Sequence, residues 1–201
     1  CMNFLGEGIG SEEGYQLTYD VLTFMRNKLK DFQEETGNLY NLEATPAEST
    51  SYKLAKKDKE LFGDKIYTQG DNAPYYTNSC HLPVKEVENI DMLYKHQHKL
   101  QALHTGGTVI HNYLETPISG AKAKEIVKYT SENYEAPYTS LSPVYSVCSE
   151  HGFLGGYYDN CPHCGETAES YQRITGYIRP VSKFNDGKQA EFYDRKQIKV
   201  N

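Results

Sequence analysis

Residues 148–180 decide the reading of this chain. They contain Cys148-Ser149-Glu150-His151, then nine residues, then Cys161-Pro162-His163-Cys164-Gly165, and further on Arg173-Ile174-Thr175-Gly176-Tyr177-Ile178-Arg179-Pro180. The first half has the form CxxH-x9-CxxC. A two-residue gap puts both donors of a pair on one side of a tight turn, and Gly165 lets the backbone fold past an ion. Thiolates and imidazole in a set of four suit tetrahedral Zn²⁺. Cys148, His151, Cys161 and Cys164 are the candidate ligands. With all four positions supplied by protein, the zinc is structural and leaves no place for a reactive water. His163 lies inside the CxxC, where the spacing points it away from the ion. A redox CxxC would need a strand before it and a helix after it, a context missing here. In the second half, a glycine between β-branched and aromatic residues, followed by Pro180, reads as a turn or bulge.

Working outward, the 201 residues fit one large domain or a domain with a small module. The 18 Tyr and 7 Phe provide an aromatic core that a disordered chain lacks. No run of apolar residues is long enough to span a bilayer, and the first residues, CMNFLGEGIGSEEGY, have neither the basic start nor the apolar stretch of a signal peptide. The odd count of 5 cysteines, without an export signal, favours a reduced, cytoplasmic setting over disulfides. The net charge of −6 argues against nucleic-acid binding. The chain opens on Cys1 in what reads as the middle of an element, so an N-terminal part is expected to be missing.

Apolar residues at Leu17, Val21, Leu22, Phe24, Met25, Leu29 and Phe32 recur at helical spacing, predicting a helix over 14–36 that stops at Gly37. Further helices are expected from Ser49 to Phe62, within 85–104 and over 117–134. Strands are expected at 38–43, 108–114 and 139–147, with 73–84 as loop. Helices alternating with short strands predict an α/β fold with a small metal module.

Four separated blocks occur in one order: NLEATPAESTS, YYTNSCHLPV, LHTGGTVIHNY and CPHCGETAESYQRITGYIRPVSKFNDGKQAEFYDRK. Together they resemble the C-terminal part of the anaerobic (class III) ribonucleoside-triphosphate reductases, over essentially the whole chain. The resemblance implies the C-terminal part of a ten-stranded α/β barrel, the glycyl radical enzyme fold, with a zinc-ribbon-like module. Residues 1–140 would belong to the barrel, 141–168 would bind zinc, and 169–201 would hold the radical loop and tail. By the same resemblance Gly176 carries a radical made by a radical-SAM activating enzyme. The radical passes to a thiyl cysteine upstream of residue 1, and ribonucleoside triphosphates are reduced with formate or a thiol system as reductant, in a homodimer. Relatives often use four cysteines for zinc, and here His151 replaces one. Burial of the glycyl segment would shield it from oxygen.

The Thr45-Pro46-Ala47-Glu48-Ser49-Thr50-Ser51 segment stands before a predicted helix. Hydroxyls and unpaired N–H groups there suit nucleotide phosphates, and the resemblance favours Thr45, Ser49, Thr50 and Ser51 for that role. An ordinary Ser/Thr N-cap is the alternative. Cys80 is a candidate redox thiol or a small packed residue. Gly106-Gly107 permit close backbone approach. His104 and His111 read as hydrogen-bonded core residues, His96 and His98 as solvated. The competing function is a zinc-ribbon module that contacts nucleic acid or a protein, against which stands the lack of any Lys or Arg between 148 and 165.

Overall fold

The computed structural model describes residues 1–174 and 176–200. The helices are α1 (Met2–Leu5), α2 (Glu12–Thr36), α3 (Glu48–Phe62), α4 (Ile90–Ala102), α5 (Gly120–Asn133) and α6 (Asp186–Asp194). The strands are β1 (Ile110–Leu114), β2 (Thr139–Pro143), β3 (Tyr145–Cys148), β4 (Gly152–Gly155), β5 (Glu169–Ile174) and β6 (Tyr177–Pro180). Among the described residues, no helix is long and apolar enough to cross a membrane.

Caps fix most helix starts. Ser11, Asn89, Ser119 and Asn185 each accept a hydrogen bond from the backbone N–H three residues on, which satisfies a donor the first turn leaves orphaned. The Asn89 cap explains why α4 begins at Ile90 and not near 85. The segment before it turns instead, with the Glu86 N–H bonded to the Pro83 carbonyl.

β1 and β2 run parallel, Ile110 opposite Thr139, and are joined through α5. This βαβ unit is the expected α/β element. Its alternate residues Ile110, Asn112 and Leu114 are buried, and Ile110 and Leu114 pack with Leu82, Leu93, Tyr94 and Ile198. A second sheet is antiparallel, in the order β4-β3-β5-β6. The segments expected as separate units, 141–168 and 169–201, therefore share one sheet through the pairing of β3 with β5. Val144, Ile174, Val181, Phe184 and Phe192 form the core behind it.

Two expectations need correction. Residues 38–43 do not form a strand; they make a single parallel bridge, Glu43 to Gly107. Gly106 permits the approach, since a Cβ there would stand 2.7 Å from Asn41 Oδ1. The apolar stripe of α2 is only partly covered: Leu22 is buried, while Val21, Phe24, Met25 and Phe32 are exposed.

The tail contains a helix, α6, that hydropathy did not reveal. Gly187 lets it lie against α3, where any Cβ would press on the Tyr52 side chain at 2.7–2.9 Å, and the Tyr52 hydroxyl donates to Asp186. The inner face of α6 is charged. Lys188, Glu191 and Arg195 are 1%, 4% and 6% exposed. Glu191 pairs with Lys188 and with Arg195, the latter at 2.8 Å. Burial would raise the Glu191 carboxyl, but the two cations overcome it and hold it below the usual carboxylate range. A buried ion triad depends on every member, because a lost partner leaves a desolvated charge. The Glu191→Gln chain is expected to lose about 3–5 kcal/mol of stability in urea denaturation; a loss below about 1 kcal/mol would show that the triad is dispensable.

Candidate metal centre and the glycine hairpin

Cys148 closes β3, and His151 lies in the turn before β4. Cys161 and Cys164 come from the loop ahead of β5, where the Gly165 N–H returns to the Cys161 carbonyl with Gly165 at φ +79°. The four side chains converge, their donor atoms all within 4.8 Å of one another. Cys148 Sγ is 3.7 Å from His151 Nδ1 and 3.7 Å from Cys164 Sγ, and Cys161 Sγ is 3.7 Å from His151 Nδ1. A tetrahedron with Zn–S bonds of about 2.3 Å has edges of about 3.8 Å, so the cluster has the dimensions of a four-coordinate site. The His151 ring holds the Cys148 thiol below its usual range, toward the thiolate a cation needs. Leu154 and Ala168 pack around Cys148 and Cys161. His163 stays outside the cluster, its ring 5.2 Å from that of His151. Its backbone N–H donates to Cys161 Sγ, an interaction that steadies the ligand.

Beyond Cys164 the chain enters β5, and Ile174 pairs with Tyr177 across the tip of the β5–β6 hairpin. Gly176 stands at that tip, as the turn reading required; its neighbour Thr175 lies outside the described residues. Gly176 is exposed, not buried, as are Tyr177 and Ile178. A Cβ added to Gly176 meets no atom within 4 Å. The Gly176 carbonyl accepts from Arg173 Nη1 at 3.2 Å.

The Thr45–Ser51 segment starts α3 one residue earlier than expected, at Glu48. The N-cap is Ala47, with no side-chain cap, so the ordinary Ser/Thr cap is not made. Ser49 and Thr50 are exposed in the first turn; Ser51 is buried, its hydroxyl donating to the Glu48 carbonyl. Thr45 faces a cavity of about 80 Å³ that His81, His111, Tyr113, Lys188 and Glu191 also line. The candidate residues thus fall into two groups. The metal cluster and Gly176 share the antiparallel sheet, while Thr45 and α3 meet α6.

Cys80 belongs to neither group. It packs with Leu22, Leu42 and Leu100, and burial pushes its thiol up, away from the thiolate that exchange requires. His111 is hydrogen-bonded as expected, Nδ1 to Ser140 Oγ at 2.8 Å. His104 is buried, but its Nδ1 has no partner. His96 and His98 are half-buried, not solvated; His96 Nε2 lies 2.8 Å from the Ile9 carbonyl.

Sequence reasoning missed the Lys188–Glu191–Arg195 triad. Its signal was the K-x-x-E-x-x-x-R spacing, which places all three on one helical face once 186–194 is recognised as helix.

The comparisons with known proteins agree with this geometry. The family model described as "Anaerobic ribonucleoside-triphosphate reductase" matches residues 1–197. The chain is similar to the anaerobic ribonucleoside-triphosphate reductases of Haemophilus influenzae (29% identity over 85% of this chain and 25% of the relative) and of Enterobacteria phage T4 (29% identity over 90% and 31%). Among solved structures, an "Anaerobic ribonucleotide reductase" superimposes with a TM-score of 0.72 at 26% identity, covering 95% of this chain and 30% of that one. The Thermotoga maritima anaerobic ribonucleotide reductase in complex with dATP and CTP gives 0.67 at 27%, covering 90% and 29%. Fold and sequence therefore place the chain among the ribonucleotide reductases. It belongs to the anaerobic ribonucleoside-triphosphate reductase family, whose members are oxidoreductases, and it spans about a quarter to a third of the length of the relatives it matches.

Two measurements check the site. Metal analysis of the purified chain is expected to give about one zinc per chain, and Cys161→Ser to reduce it while lowering the melting temperature; full occupancy in that variant would exclude Cys161 as a ligand. Burial pushes His81 down to about 4, with His104 and Lys188 adding to the effect, and His111 down to about 3. The unfolded chain then takes up protons first, so stability is full above about pH 6.5 and falls as pH drops toward 4, by up to about 1.4 kcal/mol per pH unit for each histidine. His81→Gln is expected to flatten that slope in denaturation measured across pH; an unchanged slope would mean that His81 takes up its proton at the same pH in the folded and the unfolded chain.

Proposed function

We propose that this chain carries the metal module and the radical hairpin of an anaerobic ribonucleoside-triphosphate reductase, an enzyme that converts ribonucleoside triphosphates to their 2′-deoxy forms for DNA synthesis. The observation that carries the reading is the state of Gly176. It stands at a hairpin tip with no packing demand for glycine, in the same sheet as the thiolate–imidazole cluster. Where packing does not ask for glycine, backbone chemistry can. A radical on a glycine α-carbon is stabilised by donation from the amide nitrogen and withdrawal by the carbonyl, and without a side chain the centre flattens freely.

The exposed tip suits attack by a separate radical-SAM activase, which removes the α-hydrogen atom of Gly176 and leaves the unpaired electron on that carbon. The radical then passes to a cysteine held by another part of the enzyme, and the resulting thiyl takes the ribose 3′-hydrogen. Loss of the 2′-hydroxyl follows, with electrons from formate or a thiol system. Cys148, His151, Cys161 and Cys164 would hold zinc. With no open position, the ion's part is to fix the hairpin and not to react. Thr45, Ser49, Thr50 and Ser51, with the uncapped first turn of α3, would receive the nucleotide phosphates. We place the working enzyme in the cytoplasm, as a homodimer.

The family match counts against the alternative of a stand-alone zinc-ribbon binder, as does the absence of Lys and Arg from the metal loop. Anaerobic activation of the reductase containing this chain is expected to give a doublet in electron paramagnetic resonance that Gly176→Ala abolishes while zinc is retained. No signal in the unsubstituted protein, or the same signal in the variant, would remove Gly176 from the reaction.

A further inference from the structure

Two arginines in series hold the strand that leads to Gly176, and one of them reaches the glycine itself. Arg173 is half-buried in β5. Its Nε donates to Ser142 Oγ at 3.0 Å, and its Nη1 donates to the Gly176 carbonyl at 3.2 Å. Ser142 is a buried residue of β2, so the guanidinium spans from the parallel sheet to the hairpin tip. Behind it, Arg195 Nη1 donates to the Arg173 carbonyl at 3.1 Å and to Gln172 Oε1 at 2.9 Å. Arg195 is in turn fixed by Glu191 and lies 3.9 Å over the Tyr113 ring. The cation beside Gly176 is therefore no loose surface charge, since both its side chain and its backbone are tied to buried groups.

We propose that Arg173 is a positioning residue for the radical glycine, its guanidinium bridging the buried Ser142 hydroxyl and the Gly176 carbonyl so that spin is drawn onto that oxygen. The inference rests on the reading of Gly176 as the radical site. Its chemistry is that of the two-sided stabilisation described above. The carbonyl oxygen is the withdrawing end, and a charge-assisted donor on it favours the form in which electron density has moved there. Arg173 itself exchanges no proton or electron; the α-hydrogen atom goes to the activase. Only an arginine offers two donors in a fixed fork for two acceptors at once. Lysine has a single nitrogen on a flexible stem.

The test uses the complete reductase containing this chain, activated without oxygen. In Arg173→Gln the doublet is expected to widen, because more spin stays on the α-carbon and couples to its remaining hydrogen. The radical should decay about tenfold faster, the scale set by one charge-assisted hydrogen bond. Zinc content should be unchanged, which separates this effect from misfolding. Arg173→Lys, which keeps a charged donor but cannot serve Ser142 and Gly176 at once, should recover part of both the lifetime and the splitting. The same splitting and decay in Arg173→Gln as in the unsubstituted protein would overturn the inference alone. No radical in the unsubstituted protein would overturn the reading of Gly176 and this inference with it. If Arg173→Gln accumulates no signal, cleavage of S-adenosylmethionine decides. Cleavage at the unsubstituted rate means the hydrogen is taken and the radical lost, as expected here. Cleavage at background would make Arg173 a contact for the activase and overturn the role assigned to it.

Discussion

The pairing of β3 with β5 is the constraint on which the candidate metal centre and the Gly176 hairpin depend. Tyr145 stands opposite Tyr171, their rings stacked 5.4 Å apart and nearly parallel. Cross-strand aromatic pairs of this kind contribute up to about 1 kcal/mol, too little to hold a hairpin alone. An isolated two-stranded hairpin is marginal in water, and the segment after Cys148 offers only a small core of its own. The Cys148–His151–Cys161–Cys164 cluster, with a metal bound, would supply what that core lacks, tying the end of β3 to the loop that feeds β5. Cage and glycine are thus two ends of one mechanical unit.

The other side of that unit leans on α6. The helix is short and its inner face is ionic, yet it joins three things that the chain keeps far apart in sequence. It packs on α3 beside the Thr45–Ser51 segment, it lines the cavity with His81 and His111, and through Arg195 it grips the backbone of β5. Ordinary packing forces would tolerate many orientations of such a helix. Buried charges with directed partners tolerate few, because each misalignment leaves a desolvated group unpaired.

Much of this was legible in the residues. The metal cluster followed from spacing, because two-residue gaps have few geometric outcomes. The long helices followed from periodicity and their Gly stops. Reading failed where tertiary contact overrode local signal. Residues 38–43 look β-forming but find one partner, at Gly107. The stripe on α2 looks like a core face but is mostly uncovered among the described residues. The α6 triad was invisible to hydropathy, since its inward residues are charged and their burial makes sense only once they are seen to neutralise one another. The burial expected at Gly176 is absent in a chain that spans a quarter to a third of its relatives' length, though the turn there was read correctly.

Gly176 separates two kinds of selection that usually act together. Most glycines that persist in a fold persist because a side chain would collide or strain the backbone, and their loss is punished by misfolding. At position 176 there is vacant space around the missing side chain. If Gly176 carries the proposed radical, a larger residue there would pass the cell's tests for a well-made protein and escape proteolysis, yet be chemically silent. On that proposed role only demand for deoxynucleotides in the absence of oxygen would expose the fault, so lineages that no longer live without air should let this glycine drift while the Cys148–His151–Cys161–Cys164 cluster endures.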